Sequence, residues 1–255
     1  MPQKDYFCGP FCAALSVEVI TGLPVGQDAT AQAAGTLLLS GPPRPSDRAP
    51  GHGPRRDYAF DPPIASDPAL CGTSAAGVCR SIDTLSAGRA TALAIRGPWH
   101  AESLRALLES AMTAEAMLIL NPATRHWWGT HPGPTTVLDY LDGEDVEPPA
   151  SDWDVGHFVC VAGRISGRRR ELCLIADTYP SLGWGGLYPQ PYDRVADGLA
   201  RPGMPASGGA IIVAEPTVAG ELGSRLASAG LDLGLWDNGS GDATLPATSG
   251  SGRVS

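Results

Sequence analysis

Three residues of this 255-residue chain, Cys8, His157 and Asp177, have the types and settings that nucleophilic catalysis requires. Cys8 stands immediately before Gly9-Pro10 and an apolar run, in the stretch QKDYFCGPFCAALSVEVITG over 3–22. Pro10 suits the first turn of a helix, where the N–H it lacks would have no intrahelical partner, and Gly22 suits the position just past the end. The spacing therefore predicts a helix from about Pro10 to Thr21, with Phe11, Ala14, Leu15 and Val19 as its buried face. Cys8 would then sit at an electropositive helix N-terminus, which favours thiolate over thiol. A cysteine so placed can also be a small core residue, so the functional reading depends on a base elsewhere in the chain. His157 opens the run GHFVCVAG and Asp177 closes the run ELCLIAD; a polar segment containing Gly167 joins the two, which together predict a β-hairpin. If Gly167 centres the turn, His157 and Asp177 are equidistant from it and lie opposite each other, with Cβ atoms roughly 4.5–5.5 Å apart. Such a hairpin would hold a carboxylate rigidly against an imidazole.

The segment CGPFCAAL resembles the nucleophile helix of the peptidase C39-like group within the papain-like superfamily. Gln3 lies just upstream, where that family's oxyanion-hole Gln lies, and GHFVCVAGR and LCLIADTYP resemble its His and Asp segments. CGTSAAGVCRSIDTLSAG, from Cys71, is similar to the second helical element of C39-like domains. The resemblance runs from residue 3 to about 215. It implies an α+β papain-like fold, in which a helical subdomain carrying the N-terminal nucleophile helix packs on an antiparallel sheet. It also implies a cysteine peptidase or amidase acting on a peptide or on a small-molecule amide or thioester. Cys8 would form the acyl-enzyme, His157 would act as base, Asp177 would orient the imidazole, and Gln3 with the Cys8 backbone N–H would face the oxyanion. No metal or organic cofactor is needed for that chemistry. The residues leave two alternatives open: an acyltransferase or amide-forming enzyme on the same site, and a papain-like binding module without catalysis.

Composition narrows the class. With 43% hydrophobic and 18% charged residues the chain can bury one substantial core. A net charge of −9 argues against nucleic acid or an anionic membrane as partner, since either calls for a basic patch. There is no apolar signal-peptide core and no run of about 18 apolar residues, so a cytoplasmic protein is expected. Cys8, Cys12, Cys71, Cys79, Cys160 and Cys173 fall in expected helices and strands rather than loops and read as reduced thiols; no C-x-x-C pair suggests zinc. His126 and His131 lack a third convergent ligand and read as surface or aromatic-packing residues.

Around the site residues, the pattern predicts helices from Asp28 to about Leu38, from a cap at Thr73 or Ser74 to about Ala87, from Ala101 to Met112, near Tyr192 to Leu199, and from Pro216 to about Ala229. Strands are expected at Thr91–Ile95, over 116–122, and at GGAIIVAE; Trp127 and Trp128 are expected to line a substrate cleft or cap the core, and Trp127, Trp128 and Trp184 are the candidate substrate-binding aromatics. Residues 1–215 are expected as the catalytic domain, interrupted by a Pro/Gly-rich loop over 41–70. Residues 216–236 are expected as a helical extension, and 237–255, poor in apolar residues, as a flexible tail.

Overall fold

The computed structural model describes residues 2–41, 44 and 47–244. Among these the chain forms, in order, α1 (Cys8–Thr21), α2 (Gln27–Ala34), β1 (Leu38–Leu39), β2 (Ile64–Ala65), α3 (Ala75–Leu85), β3 (Thr91–Gly97), α4 (Ala101–Thr113), β4 (Met117–Leu120), α5 (Pro134–Asp142), β5 (Val159–Ser166), β6 (Glu171–Ala176), β7 (Leu187–Pro191), α6 (Tyr192–Ala200), β8 (Ala210–Ala214), α7 (Pro216–Ser228) and β9 (Asp232–Leu233). β1 and β2 pair in parallel as a separate short ribbon. The other seven strands make one antiparallel sheet in the order β7-β6-β5-β4-β8-β3-β9, so the protein is α+β.

Both faces of this sheet are covered, which explains why β4 (MLIL) and β8 (AIIVA) are continuously apolar instead of alternating. Ile119, Cys160, Ile211 and Val213 point to one face and pack with Cys12, Ala13 and Val17 of α1 and Val78 and Ile82 of α3. Leu118, Leu120, Val159 and Ile212 point to the other and meet Leu104, Leu107 and Leu108 of α4, Leu199 of α6, and Leu222 and Leu226 of α7. α7, expected as an extension, is therefore part of the same body.

α1 begins at Cys8 and ends on Gly22, whose φ of 71° gives the left-handed cap. Its buried face is rotated from the expected one: Cys12, Ala13 and Val17 are buried, whereas Leu15 and Val19 are among the exposed large hydrophobics. Apolar residues surround most of this helix, so periodicity could not select its core face. Gly9 is fixed by close approach. A Cβ there would lie 2.9 Å from Val78 Cγ2 and 3.3 Å from the Phe158 ring. α2 stops at Ala34 because Gly35 takes a left-handed conformation, and Leu38 belongs to β1 instead.

The expected flexible tail is ordered over 237–244. Gly241 N donates to Leu70 O at 2.9 Å, Ala243 N to Gly35 O at 3.1 Å, and Asn238 Nδ2 to Thr73 O at 3.0 Å. Asp242 accepts two 3.0 Å bonds from the Arg80 guanidinium. Hydrogen bonds and an ion pair dock this segment, and low apolar content gives no sign of either. Residues 245–255 lie outside the described residues, as do positions 42, 43, 45 and 46 of the expected loop.

Candidate active site

The β5–β6 hairpin reaches the site by a route that its turn does not reveal. The turn runs from Gly167 to Arg170, with Gly167 N donating to Arg170 O at 2.9 Å, so it is centred beyond Gly167. Arg164 therefore faces Cys173, a register that would send His157 and Asp177 to opposite faces. A β-bulge between Val161 and Gly163 corrects this. Beyond it Val161 faces Ile175 and Cys160 faces Ala176, which puts His157 and Asp177 two places apart on one face. Gly163, at φ 151°, supplies the backbone conformation the bulge requires.

His157 Nε2 then lies 3.1 Å from Asp177 Oδ1, with both side chains buried. The carboxylate is itself held: Oδ1 accepts from Tyr179 N at 3.0 Å, and Oδ2 from Tyr188 Oη at 2.6 Å. Nε2 being engaged, Nδ1 is the ring nitrogen left for the Cys8 thiol, which lies within hydrogen-bonding reach of His157. The electrostatics follow from this chain of contacts. Burial opposes the Cys8 thiolate, but the His157 hydrogen bond and charge, with the Phe158 and Gly9 N–H groups, hold the thiol below its ordinary value. Burial also opposes the imidazolium, yet the Asp177 charge and hydrogen bond, followed by Cys8, push His157 up to about 10. Asp177 stays low, because the His157 charge and its hydrogen bonds outweigh its burial. Both shifts run in the direction that favours an ion pair, thiolate with imidazolium, with a carboxylate behind the ring.

Gln3 is buried beside this group. Its Nε2 donates to Tyr179 Oη at 2.9 Å, its Oε1 accepts from Thr178 Oγ1, and its backbone N donates to Thr178 O at 3.1 Å. The segment leading to Cys8 is held on several sides. Phe7 N donates to Lys4 O at 3.0 Å, closing a turn in which Tyr6 takes φ 66°, and Tyr6 Oη donates to Asp47 Oδ2 at 2.9 Å. A tyrosine at positive φ is strained, and contacts on every side keep it there.

Residues 47–58 lie over the site. Ala49 is buried in the core with Tyr179 and Leu182, Pro50 O accepts from Ser181 Oγ at 3.0 Å, and the His52 ring sits 4.7 Å from that of Tyr179. Asp5 N and Arg55 O pair at 2.9 Å. Tyr179 in turn stacks on His157 at 6.0 Å, and Trp153 packs edge-on to His157 at 5.0 Å.

The expected aromatics divide. Trp127 and Trp128 are buried behind Asp177, around a cavity of about 10 Å³, room for roughly one water. Trp127 packs on Tyr188, and Trp128 exchanges two 2.9 Å backbone bonds with the Gln190 amide. Of the two expected roles, cleft lining and core capping, their burial accords with the second. Trp184 is 56% exposed on the β6–β7 connection, where it bridges to Leu187. Tyr188, Tyr179, Thr178 and Trp153 were not anticipated. Tyr179 could have been found from its place two residues after Asp177, but the loop position of Trp153 carries no sequence signal.

Residues 1–237 match a family described as a family of unknown function, DUF6885. The chain belongs to it. No curated protein and no solved structure matches the chain. In this DUF6885 chain the matched span covers α1, the hairpin and Arg201, and ends at Asp237, just past Trp236, the last buried aromatic. None of its helices, among the described residues, is long and apolar enough to cross a membrane.

Proposed function

We propose that this chain is a cysteine-dependent acyl-transfer enzyme of the papain-like, C39-like type, cleaving an amide, peptide or thioester bond in the cytoplasm. One observation carries the reading: Asp177 occupies His157 Nε2 at 3.1 Å, which leaves Nδ1 to the thiol at the start of α1. His157 takes the Cys8 proton and the thiolate attacks the substrate carbonyl carbon. The new S–C bond forms, the bond to the leaving group breaks, and the imidazolium gives its proton to the departing amine or thiol. Water then attacks the acyl-enzyme as His157 accepts its proton. Release of the acid returns that proton to sulfur.

Charge developing on the carbonyl oxygen needs donors already in position. The first N–H groups of a helix have no intrahelical partner, so the Cys8 N–H is one candidate. Gln3 is the second: one Nε2 hydrogen is committed to Tyr179 and the other remains. Six free thiols accord with a reducing compartment.

The test is intact-mass detection of an acyl adduct on exposure to activated thioesters, with peptide mapping to Cys8. Cys8→Ala, His157→Ala and the double variant should be equally inactive, because residues that act as a unit lose their function together. Full labelling in either single variant would refute the assignment.

A further inference from the structure

Arg201 closes α6 in a left-handed conformation, φ 48°, and is only 3% exposed. Its Nη2 donates to Asn121 Oδ1 at 2.8 Å and to Asn121 O at 2.9 Å, and lies 3.5 Å from Pro122 O. Its Nε is buried with no hydrogen-bond partner, and among the described residues no carboxylate pairs with it. A buried charge without a counter-charge is strongly disfavoured, and arginine cannot escape by losing its proton. Burial draws this guanidinium down only to about 10, so it is charged at neutral pH.

The guanidinium edge is open on one side. A Cβ on Gly156 would stand 3.4 Å from Nη2 and 3.7 Å from Nη1. Gly156 is exposed and its φ is not positive, so backbone conformation does not require glycine there. What its missing side chain leaves is room beside the Nη1 end of a guanidinium that is otherwise enclosed. The position is also next to the chemistry: Pro122 O accepts from His157 N at 3.0 Å as well as facing Arg201, and Gly156 precedes His157 on the β4 side, away from Asp177. Nη2 spends both hydrogens on Asn121, so it is the N–H groups of Nη1, which have no partner among the described residues, that a carboxylate could accept.

We propose that Arg201, opening at Gly156, is a carboxylate-binding subsite, and that substrates of the Cys8 site carry a carboxylate on the group that leaves, as an amino acid or a short thiol acid does. This substrate class rests on the acyl-enzyme reading; the subsite itself does not.

Two measurements keep them apart. In Cys8→Ser protein, titration with N-acetylglycine should shift the backbone amide resonances of Gly156 and His157 saturably, and N-acetylglycinamide should bind about tenfold more weakly, as expected for a lost charged hydrogen bond. Gly156→Asp places a carboxylate on the guanidinium, so it should abolish the N-acetylglycine titration and raise the thermal midpoint; this variant carries the test should Arg201→Met fail to fold. In the protein with Cys8 intact, S-benzoyl thioglycolate should acylate Cys8 about tenfold more efficiently than S-benzoyl-2-mercaptoacetamide, through KM, and Gly156→Asp should remove the difference. Equal binding of acid and amide, or acid binding that persists in Gly156→Asp, overturns the subsite. Acid binding in the absence of any Cys8 acylation upholds the subsite and overturns the acyl-enzyme reading.

Discussion

Replacing His157 with alanine should convert Cys8 from a thiolate to an ordinary thiol, and the size of the change can be worked out. Burial pushes the Cys8 thiol up, and the largest opposing contributions come from the His157 hydrogen bond and charge. With the ring gone, two backbone N–H groups and the start of α1 remain. A helix terminus supplies about 0.3–1 kcal/mol, less than the ~1.4 kcal/mol of one pKa unit, so the thiol should return to or above the range of an ordinary cysteine. At pH 6.5 an unperturbed thiol is only about 1% thiolate, whereas the parent Cys8, held below its ordinary value, should be ionised to a greater extent. The assay is the initial rate of carbamidomethylation by substoichiometric iodoacetamide, with peptide mapping, at pH 6.5 and 9.5. The ratio of the two rates within each protein cancels any change in access caused by the smaller side chain. The parent ratio should be clearly the higher, with that of His157→Ala falling toward about 0.01, on the order set by the thiolate fraction of an ordinary thiol. A His157→Ala ratio near one, or another cysteine reacting before Cys8 in the parent, would refute the ion pair.

Stability should follow pH with a definite sign in Cys8→Ser, which removes the thiol's own titration. His157, raised in the fold from 6.5, contributes fully below pH 6.5 and loses its contribution as pH rises; Asp177, lowered from 3.8, contributes above that value and loses it on acidification. Urea midpoints should therefore be flat between these two values and fall on either side, and Asp177→Asn in the same background should flatten both slopes. The parent should fall less between pH 6.5 and 9.0, because Cys8, lowered from 9.0, titrates with the opposite sign. Gly163→Val forces a β-branched residue into φ 151°, where it should remove the bulge, part His157 from Asp177 and abolish alkylation at pH 6.5; alkylation at the parent rate would show that the bulge is dispensable. Asp242→Ala should destabilise by about 1–3 kcal/mol, since it strands part of the Arg80 fork; thermal unfolding unchanged from the parent would mean that the docked segment contributes nothing.

Where one element reports on itself, the sequence was readable. The Pro10 start and Gly22 stop framed α1 to within two residues, and β8 and α6 fell where their apolar patterns put them. What escaped was set by contacts between distant segments. α1 is apolar on most sides, so its buried face depends on which neighbours arrive, and Val78 and Phe158 decide it. The His157–Asp177 pairing was expected from a turn centred at Gly167; it arises from a different turn and a compensating bulge, two offsets that a count from the turn centre cannot separate. Trp127 and Trp128 left two roles open, cleft or core cap, because tryptophans in a loop resemble one another whether they face a ligand or pack against the core. Arg201 had no signal, since an arginine at a helix end is ordinary until its surroundings are known to lack a carboxylate.

The distance along the chain between Cys8 and its partners also governs when the thiol becomes reactive. During synthesis the Cys8 segment emerges first, yet Gln3 docks on Thr178, and Asp177 is not complete until Tyr188 has followed. At roughly 5–20 residues per second that interval is on the order of ten to forty seconds, during which Cys8 is a thiol like any other on a nascent chain. On the proposed reading, reactivity at Cys8 would report completion of the site. A chain halted anywhere before β7 would carry the nucleophile and none of its power, and pulse-labelling of stalled nascent chains should see the thiol awaken only after that strand has left the ribosome.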